Sequence, residues 1–159
     1  MANITLDDLD VRILNQLQKD ASLTNQALAE VVHASPPTCM RRVRRLTEAG
    51  VIEKQIAIVA PSKVANTLTA IIEVTLDVQS AEKLLQFEQR IDQEPSVLQC
   101  YRVSTGPDFV LITQVADMPA YHALVHRALT AEANVRNVRS FFSVHRSKFE
   151  TTIAVSATV

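Results

Sequence analysis

The sequence predicts an α+β chain: a three-helix helix-turn-helix domain over residues 1–60, followed by a βαββαβ domain over residues 61–159. Three observations predict it. Apolar residues recur at helical spacing from Leu6 to Leu46. Two of the helices so marked are separated by only His33, Ala34 and Ser35. From Thr69 onward, alternating and helical apolar patterns follow one another in β-α-β-β-α-β order.

Leu6, Leu9, Ile13, Leu14 and Leu17 predict a first helix over about residues 6–19, with Thr5 as its cap and acids in its first turn. Thr24 caps a short second helix over 25–32, and Leu23 and Leu28 flank that cap as a hydrophobic staple. Ser35-Pro36 restarts a helix, with serine at the cap and proline at the first helical position. This third helix runs to Ala49, and Gly50 supplies the left-handed residue that ends it. Around it, Cys39, Val43 and Leu46 lie within about 60° and form the core stripe. Thr38, Arg41, Arg42 and Arg45 form a second face of about 100°, with Arg44 at its flank. One side can dock on the first two helices while the other enters the major groove of double-stranded DNA. There arginine bonds guanine edges or grips phosphates. The candidate DNA contacts are Ser35, Thr38, Arg41, Arg42, Arg44 and Arg45. Residues 51–59 have β character and predict a wing or hinge strand; Ala60-Pro61-Ser62-Lys63 breaks it.

In the second half, Ala70, Ile72, Val74 and Leu76 alternate as a strand over 69–76. Leu84, Leu85, Phe87 and Ile91 mark a helix over 80–92, stopped by Pro95. Strands at 97–104 and 109–116 are joined by the turn Thr105-Gly106-Pro107-Asp108. Asp117 caps a second helix with Tyr121, Leu124, Val125 and Leu129 as its stripe, and a last strand spans Val135 to Arg146. This order is the ferredoxin-like pattern of four antiparallel strands with both helices on one face. Phe141 and Phe142 are adjacent and point to opposite faces. Large apolar groups on both faces predict that the uncovered face packs against a second copy of the chain.

Composition narrows the function classes. The 159 residues are 47% hydrophobic with a net charge of −1, and hold only two cysteines, Cys39 and Cys100. That excludes a disulfide framework or a cysteine zinc site. There is no signal-like start and no apolar run of membrane-spanning length, so the reading is a cytoplasmic protein with no membrane partner. No cofactor, metal or catalytic set is expected. His122 and His126 are four apart on a helix, but a third ligand at suitable spacing is missing. The only two glycines, Gly50 and Gly106, already end a helix and make a turn, which leaves no phosphate-binding loop. An alternative to a DNA-binding protein is a stand-alone small-molecule-binding or adaptor module that does not bind DNA.

The run from Ser35 to Leu46, then Glu48-Ala49-Gly50-Val51-Ile52, resembles the Lrp/AsnC, or feast/famine, transcriptional regulators, as does the opening from Leu6 to Leu14. The similarity covers essentially the whole chain. It implies sequence-specific DNA binding, homodimers that assemble into octamers or similar rings, and an amino acid or related metabolite as effector. It also implies that the 105–108 turn lies at a contact between dimers. Candidate effector residues are Ser104, Thr105, Gly106 and Asp108: a close backbone approach at the glycine, two hydroxyls, and a carboxylate for an α-ammonium group. Two features depart from the family. Gly106-Pro107-Asp108 stands where members carry Gly-x-x-Asp, and Val64-Ala65-Asn66-Thr67-Leu68 lacks their usual glycine.

Overall fold

The computed structural model describes residues 4–65, 67–130 and 134–157; Asn66 lies outside them. The chain divides into two compact units. One holds the described residues up to Ile58 together with those from Lys148 onward, and the other is Val59–Ser147. The sequence reading runs the second domain to residue 159, whereas the last segment groups with the first unit. Two bonds hold it there: the Gln18 amide donates to the Ile153 carbonyl at 3.1 Å and accepts from the Ile153 N–H at 2.8 Å. Val155 packs against the same core.

The first unit contains α1 (Asp8–Leu17), α2 (Asn25–Val31) and α3 (Pro36–Glu48). Helix α1 starts later than expected because Asp7, not Thr5, is its cap. The Asp7 carboxylate accepts from the Asp10 N–H at 2.9 Å, and the Asp10 carboxylate accepts from the Asp7 N–H at 3.1 Å. This reciprocal pair satisfies two otherwise orphaned donors. Thr24 and Ser35 cap α2 and α3 as expected. Helices α2 and α3 both end in a left-handed residue. At Gly50 (φ 72°) the N–H groups of Gly50 and Val51 close on Thr47 and Leu46. At the end of α2 His33 takes that role (φ 54°), with its own N–H on Glu30 and that of Ala34 on Ala29. Ile13, Leu14, Leu28, Ala29, Val32, Cys39 and Leu46 form the core between the helices.

Residues 51–60 form no strand. The segment has β composition, but an extended segment becomes a strand only where a neighbour completes its ladder. Part of the expected break is a helical turn, α4 (Pro61–Val64).

The second unit continues with β1 (Leu68–Leu76), α5 (Ala81–Asp92), β2 (Val97–Arg102) and β3 (Phe109–Val115). It closes with α6 (Met118–Leu124), running on as a π-helical turn (Val125–Thr130), and β4 (Val135–Phe142). The sheet order is β2-β3-β1-β4, antiparallel throughout, which is the ferredoxin-like arrangement. Ala70, Ile72, Val74 and Leu76 of β1 and Phe109, Leu111 and Val115 of β3 meet Phe87, Ile91, Tyr121, Leu124 and Leu129 in one core. The buried Thr113 fits among them because its hydroxyl donates to the Ala70 carbonyl. Both helices therefore cover one face.

On the other face Ile71 lies between Ile112 and Phe141, with Glu73 between Val110 and Arg139. Phe142 points the opposite way, edge-on to Tyr121 at 4.9 Å. Strand β4 stops at Phe142 rather than Arg146: Ala70 is its last partner, and beyond it the Ser143 N–H reaches β1 at Thr69. Strand β2 stops at Arg102, so the connection to β3 is six residues, 103–108, instead of a four-residue turn.

Candidate nucleic-acid interface and effector loop

Helix α3 presents its arginines unequally. Asp10 of α1 is fully buried, 0% exposed, and its two cationic partners come from α3. Arg42 Nη1 donates to both Asp10 oxygens at 3.3 Å and to Asp7 Oδ2 at 2.6 Å. Arg45 Nη2 donates to Asp10 Oδ2. The sequence reading groups Arg42 and Arg45 with the groove-facing side chains; the structure also ties both of them to Asp10. A buried carboxylate requires positive partners, and these two arginines supply them. The Arg42 side chain is only 25% exposed, and that of Arg45 43%. Asp10 stands three, four and seven positions before Ile13, Leu14 and Leu17. An acid in that apolar stripe is the sequence signal that could have found this anchor.

The charge network also tunes Asp7. The Asp10 N–H bound to its carboxylate, together with the Arg42 guanidinium, holds its pKa below the ordinary 3.8. Arg42 is pushed upward by the same contact.

Arg41 is exposed and makes no ion pair among the described residues. Arg44 pairs with Glu48, one turn along the same helix, at 2.7 Å and in solvent; such pairs are weak. Ser35 Oγ and Thr38 Oγ1 are 2.8 Å apart, and Ser35 also accepts from the Thr38 N–H. Their hydroxyls are thus engaged at the start of α3. Arg41, Arg44, Pro37 and Met40 lie on the side away from Cys39 and Leu46, and all four are exposed.

The loop between β2 and β3 brings Ser104, Thr105 and Gly106 to the surface. Gly106 has φ 91°, with open space where a side chain would stand, so backbone conformation rather than crowding calls for glycine. The Ser104 and Thr105 hydroxyls make no hydrogen bond among the described residues. Asp108 engages its carboxylate through one oxygen. Its Oδ2 accepts from the Leu76 N–H at 2.7 Å and from the Gln79 amide at 3.3 Å, while its own N–H donates to the Val74 carbonyl. Asp108 ties the start of β3 to the end of β1, and its charge is engaged there.

The His122 and His126 side chains are exposed on the last helix, and His122 stands edge-on to Tyr121 at 5.4 Å. Among the described residues no three histidine, cysteine or acidic side chains come together. No helix among them is long and apolar enough to cross a membrane.

Residues 6–53 match the family model of a winged helix-turn-helix DNA-binding unit, and residues 69–153 match that of the Lrp/AsnC ligand binding domain. The chain is 41% identical, over 94% of its length and 89% of the relative's, to an uncharacterized HTH-type transcriptional regulator of Haemophilus influenzae. It is 36% identical, over 93% of its length and 95% of the relative's, to the leucine-responsive regulatory protein of Rhizobium meliloti. Among solved structures it is similar to a transcriptional regulator of Neisseria meningitidis in complex with L-Met. The TM-score is 0.84 at 31% identity, covering 94% of this chain and 96% of that one.

Proposed function

The chain belongs to the Lrp/AsnC family of DNA-binding transcriptional regulators, and on that premise we propose a division of labour along α3. Arg41 and Arg44 reach into the major groove. Arg45 grips a backbone phosphate with the part of its guanidinium that Asp10 leaves open, and Arg42 serves as an anchor that sets the angle of the helix. Ser35 and Thr38 hold the leading end of α3 near the groove edge. The observation that carries this reading is the fully buried Asp10, which ties down Arg42 and one side of Arg45 and has no bond to Arg41 or Arg44.

The second unit senses an amino acid. The related regulator solved with L-Met supports that class of effector. The loop carrying Ser104, Thr105 and Gly106 is the contact we assign to it, with hydroxyls and backbone N–H groups for the ligand carboxylate. Asp108 shapes that loop and does not meet the ligand's ammonium. The uncovered sheet face, centred on Ile71, Ile112 and Phe141, joins two copies into a dimer. Two α3 helices then meet half-sites about 34 Å apart or a multiple of that. Residues 1–60 act as the DNA-binding domain and the strands and helices beyond as the dimerising, sensing domain; such a regulator works in the cytoplasm, beside the chromosome, and has no catalytic step.

Gel-shift assays with genomic fragments, followed by thermal-shift measurements with the common amino acids, test both halves. Specific binding that falls in Arg41→Ala supports the α3 assignment. DNA binding no better than that of a protein of similar charge would favour an adaptor module. A ligand at 100 times its dissociation constant adds about 2.7 kcal/mol of stability. The loop assignment fails if that gain survives replacement of Ser104 and Thr105 by alanine.

A further inference from the structure

The leading half of α3 is unusually apolar for a surface that meets DNA. Ser35 and Thr38 bond each other, and Arg42 is held by the two aspartates. What remains outside in the first two turns is Pro36, Pro37, Met40 and Arg41. The prolines carry no N–H to offer. Met40 is 57% exposed, on a helix whose other exposed long side chains are charged. At roughly 100° per residue, Met40, Arg44, Pro37 and Arg41 span an arc of about 100° centred opposite the Cys39–Leu46 core stripe. Met40 thus stands at one edge of the arc that also holds Arg44 and Arg41, on the part of a recognition helix whose residues contact base edges. An apolar side chain there has one specific complement in the major groove, the 5-methyl group of thymine.

We propose that Met40, with Pro37 beside it, is a specificity-determining residue that reads a thymine methyl in each half-site, next to the base pair read by Arg41. This rests on the assignment of α3 to the major groove. Met40 makes a poor partner for cytosine, whose 4-amino group would lose its water against a thioether. The half-site therefore combines one hydrogen-bonded base with one base recognised by shape.

The test uses the full chain and a high-affinity duplex selected in vitro from random DNA. Each thymine is replaced in turn by deoxyuridine, which keeps base pairing and O4 and removes only the methyl. Wild-type protein is expected to lose about fourfold in affinity at one symmetry-related position per half-site, what burying a single methyl is worth. Met40→Ala should bind the thymine and deoxyuridine duplexes alike, while Met40→Leu restores the difference. Met40 is exposed, so neither change threatens the fold. If Met40→Ala discriminates as wild type does while Arg41→Ala loses affinity, the Met40 inference is overturned and the α3 assignment stands. If Arg41→Ala and Met40→Ala both bind as wild type does, α3 is not the reading element and both ideas fall.

Discussion

Helix α3 carries four arginines and divides them; the β2–β3 loop carries a single carboxylate and uses it inside the fold. In α3, Arg42 and Arg45 close on Asp10 while Arg41 and Arg44 stay outside. In the loop, Asp108 Oδ2 accepts from the Leu76 N–H, and the Ser104 and Thr105 hydroxyls make no hydrogen bond among the described residues. The difference teaches that redundancy decides whether one element can both anchor and recognise. A helix with two spare arginines keeps its charge for DNA after fixing its own position. A loop with one acid must recognise by its shape, which that acid sets. Anchoring and recognition should therefore separate cleanly by mutation in α3 and remain entangled in the loop.

The strongest attempt to break this comparison is Asp10→Ala. It leaves two guanidinium groups without the carboxylate they surround and removes the half of the α1 capping box that the Asp10 carboxylate makes with the Asp7 N–H. The first unit should lose about 3 kcal/mol in urea unfolding, the low end of what removing one partner of a buried pair costs. A variant that unfolds with wild-type stability would show that Arg42 and Arg45 are not anchors. Asp108→Ala is next, at about 2 kcal/mol, since the Leu76 N–H loses a charged acceptor; Asp108→Asn, which keeps an acceptor oxygen, should lose less. If Asp108→Ala instead keeps its stability and abolishes the thermal shift given by an amino acid, the carboxylate meets the ligand and the contrast fails.

Crossing Arg41→Ala with Arg42→Ala sharpens it. Arg41→Ala should weaken operator binding by about 1–3 kcal/mol if it reads a base, with the unfolding midpoint unchanged. Arg42→Ala should lower stability by about 1–2 kcal/mol. Its loss of DNA affinity should be similar across sequences, because α3 is misplaced rather than stripped of a base contact. Isotherms in which Arg42→Ala relaxes the preference at one base pair would return Arg42 to the groove.

These residues also mark what could be read in advance. The order of elements was legible because 3.6- and two-residue periods, Ser35-Pro36 and the Gly50 stop are local signals. The recognition helix was legible for the same reason. Which arginines stay outside was not, because that depends on Asp10 in another helix, 32 and 35 positions away from Arg42 and Arg45. The structural bond of Asp108 was hidden for the same kind of cause, since its partner Leu76 lies 32 positions away on β1. Strand limits at Arg102 and Phe142, and the absence of a strand over 51–60, depend on whether a neighbour completes the ladder. Sequence periodicity does not report that.

The smallest effect isolates one charge in the anchor. The Asp10 N–H and the Arg42 guanidinium depress the folded-state pKa of Asp7 below its ordinary 3.8. A depressed carboxylate stabilises the fold above its unfolded value, and that contribution disappears as pH falls through the folded value. Asp7→Asn keeps a good cap residue and removes the charge that Arg42 meets. The stability difference between wild type and Asp7→Asn should therefore be constant from pH 7 down to about 5, then close as the solution is acidified below the ordinary carboxylate value. The other acids are common to both proteins and cancel in the comparison. Asp7 is half exposed, so the gap is small and should shrink further in 1 M salt, where charges are screened beyond about 3 Å. Acid-unfolding curves of the two proteins that stay parallel through pH 3 would show that Asp7 acts as a neutral cap and that Asp10 alone holds the α3 arginines.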